Sequence, residues 1–266
     1  MPVKLKYNIF GKGRPVIILH GLLGSSGNWT TIAKRLAEIY QVITVDLRNH
    51  GRSGYHGSMT YEEMADDVEH LIKELCPEST AIIGHSMGGK VAMTTAFVYP
   101  ELFSAVIVLD IAPVKYLQKI DVLIDAMNAV DMVTIKSRSD ADRQLALTIG
   151  DSELRQYLLQ NLVRNDHGYY WRVNLASIRS NMDYITGFPE VFSGKEYPGP
   201  ALFLAGMNSD CINHKIEPAI HHYFPSAIIE YIENAGHWLH VEQPDIVVKK
   251  ITMFLAKILP ASQVNS

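Results

Sequence analysis

The sequence predicts an α/β protein with a mostly parallel central sheet and helices on both of its faces. Three observations carry that expectation. Continuous apolar runs such as PVIILHG (15–21) and QVITVDL (41–47) have the pattern of strands covered on both sides. Amphipathic helical stretches separate them, and repeated strand–helix–strand units imply parallel pairing. The alternation stops near Pro113 and resumes at ALFLAG (201–206), so one sheet is interrupted by something else.

Taken in order, VKLKYNIF (3–10) alternates apolar and polar residues with period two, as a half-exposed edge strand does. After the run at 15–21, NWTTIAKRLAEIY (28–40) carries a helical stripe with Asn28 placed to cap it. TYEEMADDVEHLIKEL (60–75) opens with Thr60 and Glu63 in capping-box spacing. STAIIGHS (79–86) reads as a strand, SMGGKVAMTTAFVYP (86–100) as a helix and SAVIVLDI (104–111) as the next strand. Beyond 201–206 come a helix near 214–223, the strand SAIIEYIE (226–233) and a terminal helix, QPDIVVKKITMFLAKIL (243–259).

Residues 113–198 have a different rhythm. VLIDAMNAVDMV, DADRQLALTI and DSELRQYLLQNLV look like short amphipathic helices with no strands between them, followed by an aromatic cluster, HGYYWRVN (167–174). That is too much helix for one crossover. The expectation is a helical cap (113–198) inserted over the carboxyl edge of a core built from 1–112 and 199–266, since neither half would close a core alone. Tyr169, Tyr170 and Trp171 are expected to help form an apolar pocket beneath it.

Composition narrows the function. The chain has 24 Lys+Arg against 28 Asp+Glu, a net charge of −4, and no dense basic run, which argues against nucleic acid or an anionic membrane as partner. Its longest apolar stretch, AVIVLDIA (105–112), is broken by Asp110, so no membrane span is read. Two cysteines, Cys76 and Cys211, lie far apart without metal-ligand spacing and read as free thiols. With no secretory pattern read in MPVKLKYNIFGKG, a cytoplasmic location is expected. No metal and no organic cofactor is implied.

The sharpest local feature is Gly84-His85-Ser86-Met87-Gly88-Gly89, where a strand ends and a helix begins. A serine on such a turn presents its hydroxyl above the sheet, and the new helix's amino terminus points N–H groups at the same spot. His20-Gly21-Leu22-Leu23-Gly24-Ser25 follows the apolar strand before it. A small-residue loop there can add the Leu22 N–H to that of Met87, forming an oxyanion hole. Ala235-Gly236-His237-Trp238 places a histidine after the last strand, where it can relay the serine's proton. Two carboxylates compete to hold that imidazole: Asp110, at the end of the strand following the serine's helix, and Asp210, in AGMNSDCIN after the next strand.

The motifs HGLLGS, DLRNHGRS, GHSMGG and AGHWLH, with the insertion, resemble the α/β-hydrolase superfamily over nearly the whole chain. The elbow serine separates it from the dehalogenase and epoxide-hydrolase branches, whose elbow carries aspartate. GHSMGGKVAM, LDIAPV and AGHWLHVEQPD look most like the bacterial YbfF-type esterases. The resemblance implies the α/β-hydrolase fold and a Ser86–His237–Asp110 triad. Most of the superfamily takes its acid three residues after the strand-ending glycine, which here is Ser209, whereas the YbfF type also has serine there and takes the acid from the preceding strand end. Ser209 is then expected as a further hydrogen-bond partner of His237, and Asp46-Leu47-Arg48-Asn49-His50-Gly51-Arg52-Ser53 as a structural brace.

The expected chemistry is acyl transfer on a small-molecule ester or thioester, short acyl esters and acyl-CoA included, through an acyl-enzyme. The rivals are the same triad used on a carbon–carbon bond or an amide or as a lyase, and a non-catalytic binding protein on this fold.

Overall fold

The computed structural model describes residues 2–76, 78–116 and 120–259. Of its first three strands, β1 (Lys6–Phe10) has one side wet, while β2 (Pro15–Leu19) and β3 (Gln41–Asp46) are almost wholly buried. β1 pairs antiparallel with β3 at the margin of the sheet, as its period-two pattern requires, and β3 pairs parallel with β2.

Between β2 and β3 the chain departs from the expected helix over 28–40. Ser26–Trp29 form a 3-10 turn, and α1 is confined to Thr30–Leu36. Asn28 does not cap α1. Its side-chain oxygen turns back to accept the Ser25 N–H at 2.6 Å, so it closes the loop before the helix. α2 (Tyr61–Leu75) begins as expected, with Thr60 and Glu63 bonding each other's backbone N–H groups. Then follow β4 (Thr80–His85), α3 (Met87–Val98) and β5 (Phe103–Leu109).

The segment after β5 holds α4 (Ile120–Asn128), α5 (Arg138–Leu145) and α6 (Ser152–Leu159), then a hairpin of β6 (Leu162–Asn165) and β7 (Gly168–Trp171). The hairpin corrects the reading of this stretch as strandless. Asp166 and His167 form its tip, and Gly168 takes φ +117. An Asp-His tip lacks the usual Asn-Gly signal of a tight hairpin. The aromatic residues are not pocket walls. Trp171 donates to the Met127 carbonyl at 2.8 Å and so braces the hairpin on α4, while Tyr170 is exposed. Two short helices follow, α7 (Leu175–Ser180) and α8 (Met182–Thr186).

β8 (Ala201–Gly206), α9 (Glu217–Tyr223), β9 (Ala227–Ile232), α10 (Leu239–Glu242) and α11 (Pro244–Ile258) complete the chain. The seven-stranded sheet has the order β1-β3-β2-β4-β5-β8-β9, parallel throughout except for β1. Alternate residues of β2 enter opposite cores, as strand geometry dictates. Ile17 and Leu19 pack with α2 and α3, whereas Val16 and Ile18 pack with α1 and α11.

The inserted segment leans on the loops at the carboxyl ends of β2 and β3. Tyr157 Oη donates to the Leu22 carbonyl at 2.9 Å, Asn161 Nδ2 to the Leu23 carbonyl at 2.7 Å, and the Asn174 N–H to the Asn49 carbonyl at 2.9 Å.

Candidate active site

Ser86 stands between β4 and α3 with φ +51 and ψ −121, a conformation that L residues with a side chain rarely adopt. The surroundings hold it there: its N–H donates to the Leu109 carbonyl at 3.0 Å, and its carbonyl accepts the Gly89 N–H at 2.8 Å. The turn is tight enough to exclude side chains beside it. A Cβ on Gly84 would stand 2.1 Å from the Gly88 carbonyl oxygen, and one on Gly88 would stand 2.5 Å from those of Leu19 and His20.

His237 lies in the loop after β9, and its Nδ1 is 2.8 Å from Oδ2 of Asp110. Asp110 is fully buried, also at positive φ, directly after β5. Its other oxygen accepts the Gly206 N–H at 3.0 Å. Asp210 is exposed on the same loop, and among the described residues its carboxylate has no bond to His237. Ser209, expected as a further partner of His237, instead turns to Asp110. Its hydroxyl donates to the very Asp110 oxygen that His237 uses. The one-step offset between Ser209 and Asp210 explains both: only the inward-turned residue reaches the buried carboxylate.

Sequence reasoning missed Cys211, whose Sγ is 3.5 Å from His237 Nδ1. Both cysteines are free and buried. Among the described residues Asp110, Cys211 and His237 form the single grouping of metal-type donors, their ligand atoms within 4.8 Å of one another, but Asp110 and His237 already engage each other. Burial opposes charge on His237, yet the hydrogen bond it donates to Asp110 and the nearby Cys211 sulfur outweigh it and raise the imidazole pKa.

His85, inside the elbow, serves the other histidine. Its pKa is held well below the usual range by burial and by the neighbouring rings of His240 and His237, so the ring is neutral. Its Nε2–H donates to the His237 carbonyl at 2.8 Å, which ties the histidine loop to the elbow.

The loop after β2 is braced by two further neutral histidines. His20 Nδ1 donates to the Gly21 carbonyl at 2.8 Å while its Nε2 accepts the Leu47 N–H at 3.0 Å. His50 Nε2 accepts the Leu23 N–H at 3.1 Å, and burial pushes its pKa down to about 3. Asp46 accepts from the Ser26 N–H at 2.7 Å and from Arg52, so DLRNHGRS is a brace and none of it lines the cavity. Among the described residues the Leu22 and Met87 N–H groups have no acceptor. Both residues line one cavity of about 130 Å³ together with Ser86 and His237. Its other walls include Trp238, beside His237, and Tyr61, Lys90, Tyr116 and Tyr157, none of which the sequence motifs single out.

Comparison with known proteins agrees with this fold. Residues 14–244 match the model of the alpha/beta hydrolase fold family. The chain belongs to that family. It is 41% identical to the sn-1-specific diacylglycerol lipase ABHD11 of Danio rerio, over 96% of this chain and 83% of that protein. To Esterase YbfF of Escherichia coli it is 31% identical, over 91% of this chain and 92% of the other. A solved structure described as a marine microorganism esterase superposes with TM-score 0.91 at 40% identity, covering 95% of this chain and all of that one (100%). The protein is therefore an esterase/lipase-type α/β hydrolase, a carboxylic ester hydrolase. No helix among the described residues is long and apolar enough to cross a membrane.

Proposed function

We propose that this ester hydrolase works through a Ser86–His237–Asp110 triad and an acyl-enzyme. His237 takes the hydroxyl proton of Ser86 as the oxygen attacks the ester carbonyl. The oxyanion that forms is held by the N–H groups of Leu22 and Met87, each contributing roughly 3–4 kcal/mol to lowering the barrier. As the tetrahedral intermediate collapses, the carbon–oxygen bond to the leaving alcohol breaks, and His237 returns the proton to that alcohol. Water then enters by the same route, gives its proton to His237, and releases the acid from Ser86.

The observation that carries this reading is the 2.8 Å contact from buried Asp110 to His237, at the cavity that Ser86 also lines. Such a contact fixes the proton on Nδ1 and leaves Nε2 free to act as a base. Residues 113–198 act as the cap that walls the cavity. Short acyl esters suit its size, and a thioester presents the same carbonyl to the serine. The free thiols fit a reducing compartment, the cytoplasm. The test is covalent labelling by a fluorophosphonate together with ester turnover. Both are expected in the wild-type chain and absent from S86A, and labelling that survives in S86A at another residue would overturn the assignment.

A further inference from the structure

Lys90 is the charged residue of the cavity that the triad does not use. It follows Ser86 by one turn of α3, about 6 Å along the axis, in a helix whose neighbouring residues are otherwise apolar or small. It is 1% exposed, yet among the described residues no carboxylate pairs with it. Its Nζ donates to the carbonyls of Thr186, at 2.9 Å, and Gly187, both in the inserted segment. The rings of Tyr116 and Tyr61 stand 5.0 and 5.8 Å away. An ammonium has three N–H donors, and two carbonyls engage only two of them. The cavity wall around it is apolar, with Ile111, Ile120, Leu123 and Ile185.

A buried cation facing an apolar cavity is expensive unless something of opposite charge completes it. We propose that Lys90 reads a carboxylate at the far end of the substrate's acyl group, so that the enzyme prefers monoesters of short dicarboxylic acids. The inference rests on the ester-hydrolase reading of the same cavity and adds its acyl specificity. The separation of residues 86 and 90 suits a second carboxylate about two to four carbons beyond the ester carbonyl. Burial holds Lys90 down to about 7, and a bound anion would restore its full charge, strengthening the bond when the right substrate arrives.

Two measurements test it. In the first, acid release from monoethyl glutarate and monoethyl adipate is followed by pH-stat titration against ethyl pentanoate and ethyl hexanoate. The wild type is expected to favour the half-esters in kcat/KM. K90M is expected to lower the half-ester to neutral-ester ratio about 10- to 100-fold, the range for a hydrogen bond to a charged group. If Lys90 only pins the inserted segment, K90M lowers both substrates together and the ratio stays put, which overturns the proposal. In the second, which needs neither turnover nor a folded variant, calorimetry compares glutarate with glutaramate on the wild-type chain. The two differ only in one distal group. Tighter binding of glutarate, by about 10-fold or more, supports the carboxylate site, and equal binding refutes it. Carboxylate binding without any Ser86-dependent hydrolysis would instead sink the triad reading and leave the Lys90 site standing.

Discussion

Replacing Asp110 by asparagine is the most informative perturbation of this site. Asp110 accepts three hydrogen bonds: from Gly206 N–H at 3.0 Å, from Ser209, and from His237 Nδ1 at 2.8 Å. Asparagine is nearly the same shape. Its oxygen keeps the Gly206 N–H, and its amide nitrogen then faces Nδ1 as a donor. The imidazole must answer by carrying its proton on Nε2, the end that has to receive the serine's proton. In serine proteases this tautomer exchange lowers kcat about 10⁴-fold, and D110N is expected to lose about 10³- to 10⁴-fold on that scale. D210N, altering an exposed side chain outside the site, should stay within about threefold of wild type. The assay is kcat and kcat/KM for a neutral ester from about pH 5 to about pH 11, with thermal unfolding of each variant as a control. In the wild type Asp110 raises the His237 pKa, so activity falls as pH drops through that raised value. Without the carboxylate's charge the acid limb should move to lower pH, on a much reduced plateau. D110N within tenfold of wild type, or D210N the weaker enzyme, would refute the assignment.

Three further outcomes follow from the same geometry. Buried, neutral His50 and His240 each have pKa values held down to about 3, so below about pH 6.5 the unfolded chain takes up protons that the folded chain refuses. Their contribution is absent above that pH. By pH 5 each should lower stability by about 2 kcal/mol, and an unchanged urea midpoint between pH 7 and pH 5 would contradict this. G88A forces a Cβ to within 2.5 Å of two backbone oxygens at the end of β2, so Tm and turnover should both fall, and a fully active, equally stable variant would show the elbow is looser than described. S209A removes one donor from Asp110 and should lower kcat/KM about tenfold without abolishing labelling of Ser86; no change would make Ser209 a bystander.

Most of the scaffold was legible because its signals are local. Period-two residues in β1, unbroken apolar runs in β2 to β5, and the Thr60–Glu63 box each fix an element with little help from distant residues. Ser86 and His237 were legible for the same reason, each lying in a short motif at a strand end. What failed to show was set across the chain. The roles of Ser209 and Asp210 depend on which side chain turns toward Asp110, and a sequence does not show that orientation. The hairpin at 162–171 was hidden because polar Arg164 and Asn165 break its pattern and because its partners are only three to nine residues apart within a helical stretch. Cys211 came unannounced, since its meaning lies in a contact with a loop from β9. Lys90 did carry a signal, a lone cation four residues after the serine in a helix of small and apolar residues. That signal is weak by itself, because most helices carry some charge.

The backbone tells where this molecule concentrates its strain. Among the described residues the non-glycine positions at positive φ are Leu23, Asn49, Ser86, Asp110 and Asn234. They follow the carboxyl ends of β2, β3, β4, β5 and β9, so every one lies at the same rim of the sheet. Each such residue costs on the order of 1–3 kcal/mol, and chance gives no reason for all of them to share one edge. Two of them, Ser86 and Asp110, are the very side chains that the proposed chemistry needs, and Leu23 sits beside a third group, the Leu22 amide. The opposing stability is visible in the strands themselves, where Val16, Ile17, Ile18 and Leu19 are all fully buried. A sheet sealed on both faces can hold its loops in conformations they would abandon in isolation. The same logic explains the neutral histidines. His20, His50 and His85 each fasten a backbone group of this rim, at Gly21, Leu23 and His237, and His20 and His50 must stay uncharged because each also accepts a backbone N–H, from Leu47 and Leu23. Protonating any of them would replace an acceptor by a donor or set a buried charge beside another ring. A rim built this way should therefore lose its geometry in acid before the sheet beneath it unfolds. The signature would be loss of fluorophosphonate labelling at a higher pH than loss of far-ultraviolet dichroism. Coincident transitions would mean that the loops and the sheet stand or fall as one unit.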